Sequence, residues 1–288
     1  MSSMVHITSG DCAGKILGES GIGGEVFVWH DILYDGPRNQ GWPDDETFQA
    51  RALFLEHATG GGLKRDHILE TLKSQYHKLK GVRNYDGVIL WFDACLFDQA
   101  MLSHILACLR FLGNQKAELI CVDAFPGIKP YHGLGQLSPE QMASVYDRRK
   151  PVTVNQFCFA EKVDRAFSLQ DENLFVELSK YSVAPLPWIP AAVMRWLQEK
   201  PDAVTGLGRL DSLALDSLRS GCRTPAEIFK YVSSNDTPPQ FWGDTMLWGK
   251  INALADRNPP LVRIEGPEKR LPQWEGISDL KLFKVLPA

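Results

Sequence analysis

No stretch of this chain approaches the roughly 18 consecutive apolar residues that a membrane-spanning helix needs, so the sequence predicts no membrane protein. The first residues also lack the basic, apolar and small-residue regions of a secretory signal, and we expect a cytoplasmic protein. Cysteine is scattered: Cys12, Cys95, Cys108, Cys121, Cys158 and Cys222 form no C-x-x-C pair, which excludes the common zinc and dithiol motifs and reads as mostly buried thiols. Basic excess is missing as well. The net charge is −4, with 16 acids against 12 bases in residues 1–137, 8 against 8 in 138–200 and 11 against 11 in 201–288. Nucleic-acid binders concentrate positive charge because phosphate neutralisation supplies most of their affinity, and no segment here does so. There is no internal repeat and no low-complexity tract.

What is present is an ordinary globular composition, 44% hydrophobic and 23% charged over 288 residues, long enough for more than one core. The organising stretch is Val88 to Gly113. A short apolar run, Val88 to Phe92, rich in β-branched and aromatic residues, predicts a buried strand. Met101, Leu102, Ile105, Leu106, Leu109 and Leu112 then recur at helical spacing, predicting a helix from Asp98, whose carboxylate could cap it. Strands at Met4–Thr8, Glu25–Trp29 and Glu118–Val122 alternate with helices at about 12–19, 44–58 and 64–80, which implies a parallel sheet.

Ser138-Pro139-Glu140-Gln141 and Thr153 with Gln156 are helix starts with capping boxes, and helices follow at about 154–168, 171–180 and 188–200. Further helices near 211–219, after Thr224 and from a cap at Asp244, with strands at 261–265 and 280–285, have the order of a winged helix-turn-helix. We therefore expect a Rossmann-like, mainly parallel α/β domain (1–137), a helical connector (138–204) and a winged-helix-like domain (205–288).

Candidate chemistry collects where strands end. Asp11, His30, Asp31, Asp35, Asp93, Asp98 and Asp123 fall at or beyond predicted strand ends, the edge at which open α/β sheets bind ligands. Carboxylates gathered there would repel unless a cation relieves them, so Asp11, Asp31 and Asp93 are candidate ligands for Mg²⁺, with His30, Asp93 or His132 in acid–base roles. The ordinary alternative is that Asp11 and Asp98 cap helices and Asp31 and Asp35 fix turns. Gly10 opening a helix, Asp98 with Gln99, Gly135 with Gln136, and Arg148 are candidate contacts to a phosphorylated small molecule or nucleotide. Asp11 counts against a phosphate turn, because its carboxylate would stand in the anion's place. In the C-terminal part, Lys250, Arg257, Arg263, Lys269 and Arg270 could meet nucleic acid, although Asp256, Glu265 and Glu268 dilute them. Leu247, Trp242 and Trp248 read as core.

Four motifs together carry a resemblance. His6-Ile7-x-x-Gly10-Asp11, Trp29-x-Asp31-x-Leu33-x-x-Gly36-Pro37, Leu96-Phe97-Asp98-Gln99 and Gly133-Leu134-Gly135-Gln136-Leu137-Ser138-Pro139-Glu140-Gln141 resemble the bacterial family called domain of unknown function 1835. The resemblance covers the first half and extends toward the end. It implies a shared fold and the unity of these motifs, and it supplies no reaction. In that pattern a histidine often lies before Leu-Phe-Asp-Gln, where this chain has Asp93-Ala94-Cys95. Two functions follow as expectations: a binder, or metal-dependent hydrolase, of phosphorylated ligands, or a ligand-sensing regulator whose C-terminal part contacts DNA or a protein.

Overall fold

Strand β3 (Gly87–Asp93) lies at the centre, and from Val88 to Phe92 no residue is more than 1% exposed. Each such side chain contributes about 1.5–3 kcal/mol of burial. The computed structural model describes residues 3–114, 116–274 and 277–288. Around β3 stand β1 (Met4–Ser9), β2 (Glu25–Trp29), β4 (Ala117–Val122) and the two-residue β5 (Lys150–Pro151) in the order β2-β1-β3-β4-β5. The first four are parallel and β5 is antiparallel.

Alternation along the strands divides the layers. Ile89, Trp91, Ile120 and Val122 face Ala13 and Leu17 of α1 (Asp11–Glu19). Val5, Ile7, Phe27, Trp29, Leu90 and Phe92 face the opposite layer of α2 (Asp45–Ala58), α3 (Arg65–Gly81) and α4 (Leu96–Phe111). The short α5 (Pro139–Ser144), opened by the expected capping box, rejoins the α1 side through Met142.

The chain then turns helical, with α6 (Val154–Leu169), α7 (Glu172–Ser179) and α8 (Ile189–Gln198) followed by α9 (Arg209–Arg219), α10 (Pro225–Asn235) and α11 (Asp244–Ala255). An antiparallel ribbon of β6 (Val262–Glu265) and β7 (Lys284–Pro287) completes it. One apolar core runs from the sheet through α8 to Leu247, Ile251 and Val285, and Trp242 and Trp248 are buried in it as expected. No helix among the described residues is long and apolar enough to cross a membrane.

Three local expectations are corrected. Asp98 does not cap α4. The helix starts two residues earlier, the Cys95 sulfur accepts from the Asp98 amide, and the Asp98 carboxylate points back to the sheet. Asp244 lies inside α11, whose cap residue is Gly243. The last strand begins at Lys284, because residues 277–282 form a 3-10 turn. Strand β5, too short for any period to reveal, was not foreseen.

Candidate functional site

In the order β2-β1-β3-β4 the chain reverses direction between β1 and β3, so α1 and α4 leave on opposite faces and open a crevice at the carboxyl edge. Asp98, on the first turn of α4, spans this crevice. Its carboxylate accepts from Ser9 Oγ at 2.6 Å and from the Asp93 amide at 2.5 Å. Asp93 accepts from the Tyr131 hydroxyl and from the Leu134 amide, both at 2.8 Å. Gln99 Nε2 donates to the Asp93 carbonyl at 2.6 Å. Gly133 makes the approach possible: at φ +147° it occupies glycine territory, and a Cβ there would lie 2.6 Å from Asp93 Oδ2. The segment 131–134 thus closes the crevice with the protein's own groups. Asp98 and Gln99 are 2% and 0% exposed, which leaves neither on the surface.

Burial governs the titration of this pair. Removal from water pushes the Asp98 carboxyl up to about 6, against the hydrogen bonds from Ser9 and the Asp93 amide that favour its charged form. Burial, and next the neighbouring Asp98 charge, raise Asp93 well above the carboxylate range despite the Leu134 and Tyr131 donors. Both carboxyls are thus shifted toward the protonated form by the same dry surroundings.

The other expected residues disperse. Asp11 and His30 meet at 2.8 Å (Oδ1 to Nε2) in a solvent-exposed pair above β1 and β2. Asp31 is buried against Arg51 at 2.6 Å and also accepts from the Ile32 amide. Asp11, Asp31 and Asp93 therefore each have a different partner, and among the described residues no group of three or more His, Cys, Asp or Glu is placed to hold a metal ion. The His132 amide donates to Gln136 Oε1 at 2.5 Å, a turn that holds itself, while Gly135 is exposed and approaches Cys12. Arg148 is exposed just before β5, at the opposite edge of the sheet from His30. These residues do not form one catalytic constellation.

A second buried network was missed. Asp164 of α6 accepts from Arg38 at 2.6 Å and meets His104 Nδ1 at 2.9 Å, while the Gly41 amide donates to its other oxygen. His104 Nε2 meets the Tyr76 hydroxyl at 2.5 Å. Burial opposes the Asp164 charge, but Arg38 and then His104 overcome it and hold the carboxyl far below the usual range. With Asp31–Arg51 this network ties the loop between β2 and α2 to the helical layer. The available signal was weak: His104 and Asp164 are ionisable residues on otherwise apolar helix stripes, which must find partners when buried.

A sizeable opening lies beside these elements. A cleft of about 660 Å³ is bounded by loop residues Ile32, Tyr34 and Asp35 after β2, by Leu96 and Phe97 after β3, by Trp196, Glu199 and Lys200 around the end of α8, and by Phe241, residues 243–246, Gly249 and Lys250 at the start of α11. Arg270 and the half-exposed Trp274 stand at its margin. Two of its walls are thus carboxyl-edge loops of the sheet. Sequence reading missed it because its lining comes from segments as far apart as residues 32 and 274.

The basic residues of the C-terminal part are largely matched by acceptors. Lys250 lies 3.8 Å from Glu199 and 3.9 Å from Asp211, Arg257 donates to the Gly206 carbonyl, and Arg263 and Arg270 pair with Glu265 and Asp256. The exposed positions of α11 are Asp244 and Ala253, neither of them basic, and the acid–base neighbours Asp256 and Arg257 are exposed just beyond it. Compared with known proteins, the chain matches no protein-family model and no curated protein.

Proposed function

We propose that this protein binds a phosphorylated small molecule or a nucleotide at the carboxyl edge of its sheet, in the cleft between the β2 and β3 loops and α11. The carrying observation is the cleft itself: 660 Å³ lies within the range of small-molecule sites, and aromatic side chains with a few charged groups are their usual lining. Tyr34, Phe97, Trp196 and Phe241 offer faces and edges for a planar ring. Lys200, Lys250 and Arg270 offer positive charge to a phosphate. Lys200 and Arg270 have surface acids, Glu172 and Asp256, as present partners, and such pairs contribute only about 0–1 kcal/mol, so exchange for a ligand phosphate costs little.

Binding is favoured over hydrolysis. Asp31, Asp93 and Asp98 are consumed by internal partners, and the exposed Asp11–His30 pair does not line the cleft. We keep Mg²⁺ only as an ion that a bound phosphate would itself bring, since oxygen-rich phosphates recruit it.

The regulator reading gains from the same cleft. Its far wall belongs to the three helices and antiparallel ribbon that we read as winged-helix-like, so occupancy would be felt there. The paired charges of that unit favour a protein partner over DNA. We place the protein in the cytoplasm, where its six free thiols would stay reduced. Calorimetric titration of the full chain with AMP, GMP, CMP and UMP tests the reading. Saturable binding that weakens in Lys250→Ala supports it. No binding of any of the four contradicts it.

A further inference from the structure

We infer that the hydroxyl of Tyr34 selects the ligand, by donating its proton to an acceptor on a planar heteroaromatic ring, either a ring nitrogen or a ring carbonyl. This rests on the cleft reading above and adds which feature of the ring is read.

Tyr34 is 6% exposed and lines the cleft from the β2 side. Its ring meets Phe97 at 6.3 Å and 65°, and Phe241 at 5.4 Å and 88°, both edge-to-face arrangements that fix its plane. Phe241 is itself held by the Arg195 guanidinium, 4.7 Å from its centroid. The Tyr34 backbone cannot easily shift, because its carbonyl accepts from Gln170 Nε2 at 3.1 Å and from Trp196 Nε1 at 3.2 Å. The hydroxyl is therefore aimed by its surroundings.

Among the described residues that hydroxyl meets one partner, the Met246 sulfur at 3.5 Å, reached across the cleft from α11. A thioether is a weak acceptor, so this part-buried donor at the cleft wall would gain from a stronger one. A ring nitrogen or carbonyl that displaces the Met246 sulfur would supply a stronger acceptor. Sites built to pair a polar group discriminate strongly against analogues that leave it unpaired, which makes this hydroxyl the point where ring identity is read.

The test uses calorimetric titration of the full chain with the tightest of the four mononucleotides. Tyr34→Phe keeps the ring and its edge contacts and removes only the donor. It is expected to weaken binding about three- to tenfold. Met246→Leu removes the sulfur acceptor while preserving volume, and is expected to bind as tightly as the wild type or more so. Unchanged affinity in Tyr34→Phe overturns the inference. A loss in Met246→Leu equal to that in Tyr34→Phe also overturns it, because the hydroxyl–sulfur contact would then merely shape the cleft. If the wild-type chain binds none of the four nucleotides the cleft reading itself fails, an outcome distinct from binding that survives Tyr34→Phe.

Discussion

Removing one partner from a buried ion pair costs far more than the pair adds, because the other charge is left dry and alone. Arg38 and Asp164 are 3% and 0% exposed at their side chains, so Arg38→Ala or Asp164→Ala should lower stability by about 3–5 kcal/mol, read as a shifted midpoint in urea. A surface pair such as Lys162–Glu177 should change the midpoint by less than about 1 kcal/mol in the same assay. Asp98 predicts a pH dependence of definite sign. The folded chain holds its proton up to about 6, whereas the unfolded chain loses it near about 4, so the native state binds more protons between those values. The stability this group contributes is complete below the lower value and is lost as pH rises through the upper one. Asp98→Asn can accept from the Asp93 amide and donate to Ser9 Oγ, so it should gain in melting temperature relative to the wild type between about pH 5 and about pH 7. Parallel melting curves across that range would contradict this.

At the scale of elements, the segment 131–134 depends on one backbone position. Gly133→Ala would place a methyl against Asp93 Oδ2 at a φ that side chains avoid, and we expect a loss of about 1–3 kcal/mol with faster exchange of the Leu134 amide. The helix α11 should not read DNA: its one cation, Lys250, is only a third exposed and lies near Glu199 and Asp211, so any binding should be weak and without sequence preference. A gel-shift series across salt checks it. The four parallel strands and their helices were legible because burial writes an unbroken apolar run into Val88–Phe92 and a helical period into Met101–Leu109, and the boxes at Ser138 and Thr153 fixed helix starts. The placing of Asp93 at a strand end was legible too. Its partners were not: nothing local announces that Tyr131 and the Leu134 amide return to it, or that Arg51 takes Asp31. Helix α4 starts at Leu96 because a cysteine, outside the usual cap residues, serves at its first turn.

For the whole molecule, the carboxyl-edge crevice that topology alone would give to a ligand is closed. The crevice between β1 and β3 is filled by the chain's own Tyr131–Leu134 segment, while the space that remains opens one strand loop away, between Tyr34, Phe97 and α11. A ligand there would touch the Rossmann-like sheet and the C-terminal helices at once, linking their opening equilibria. Hydrogen exchange of the full chain with and without a saturating mononucleotide tests this most directly. Protection is expected at residues 32–35, 96–97 and 241–250. Protection confined to residues 10–12, 30 and 132–136 would contradict it and return the site to the exposed Asp11–His30 pair.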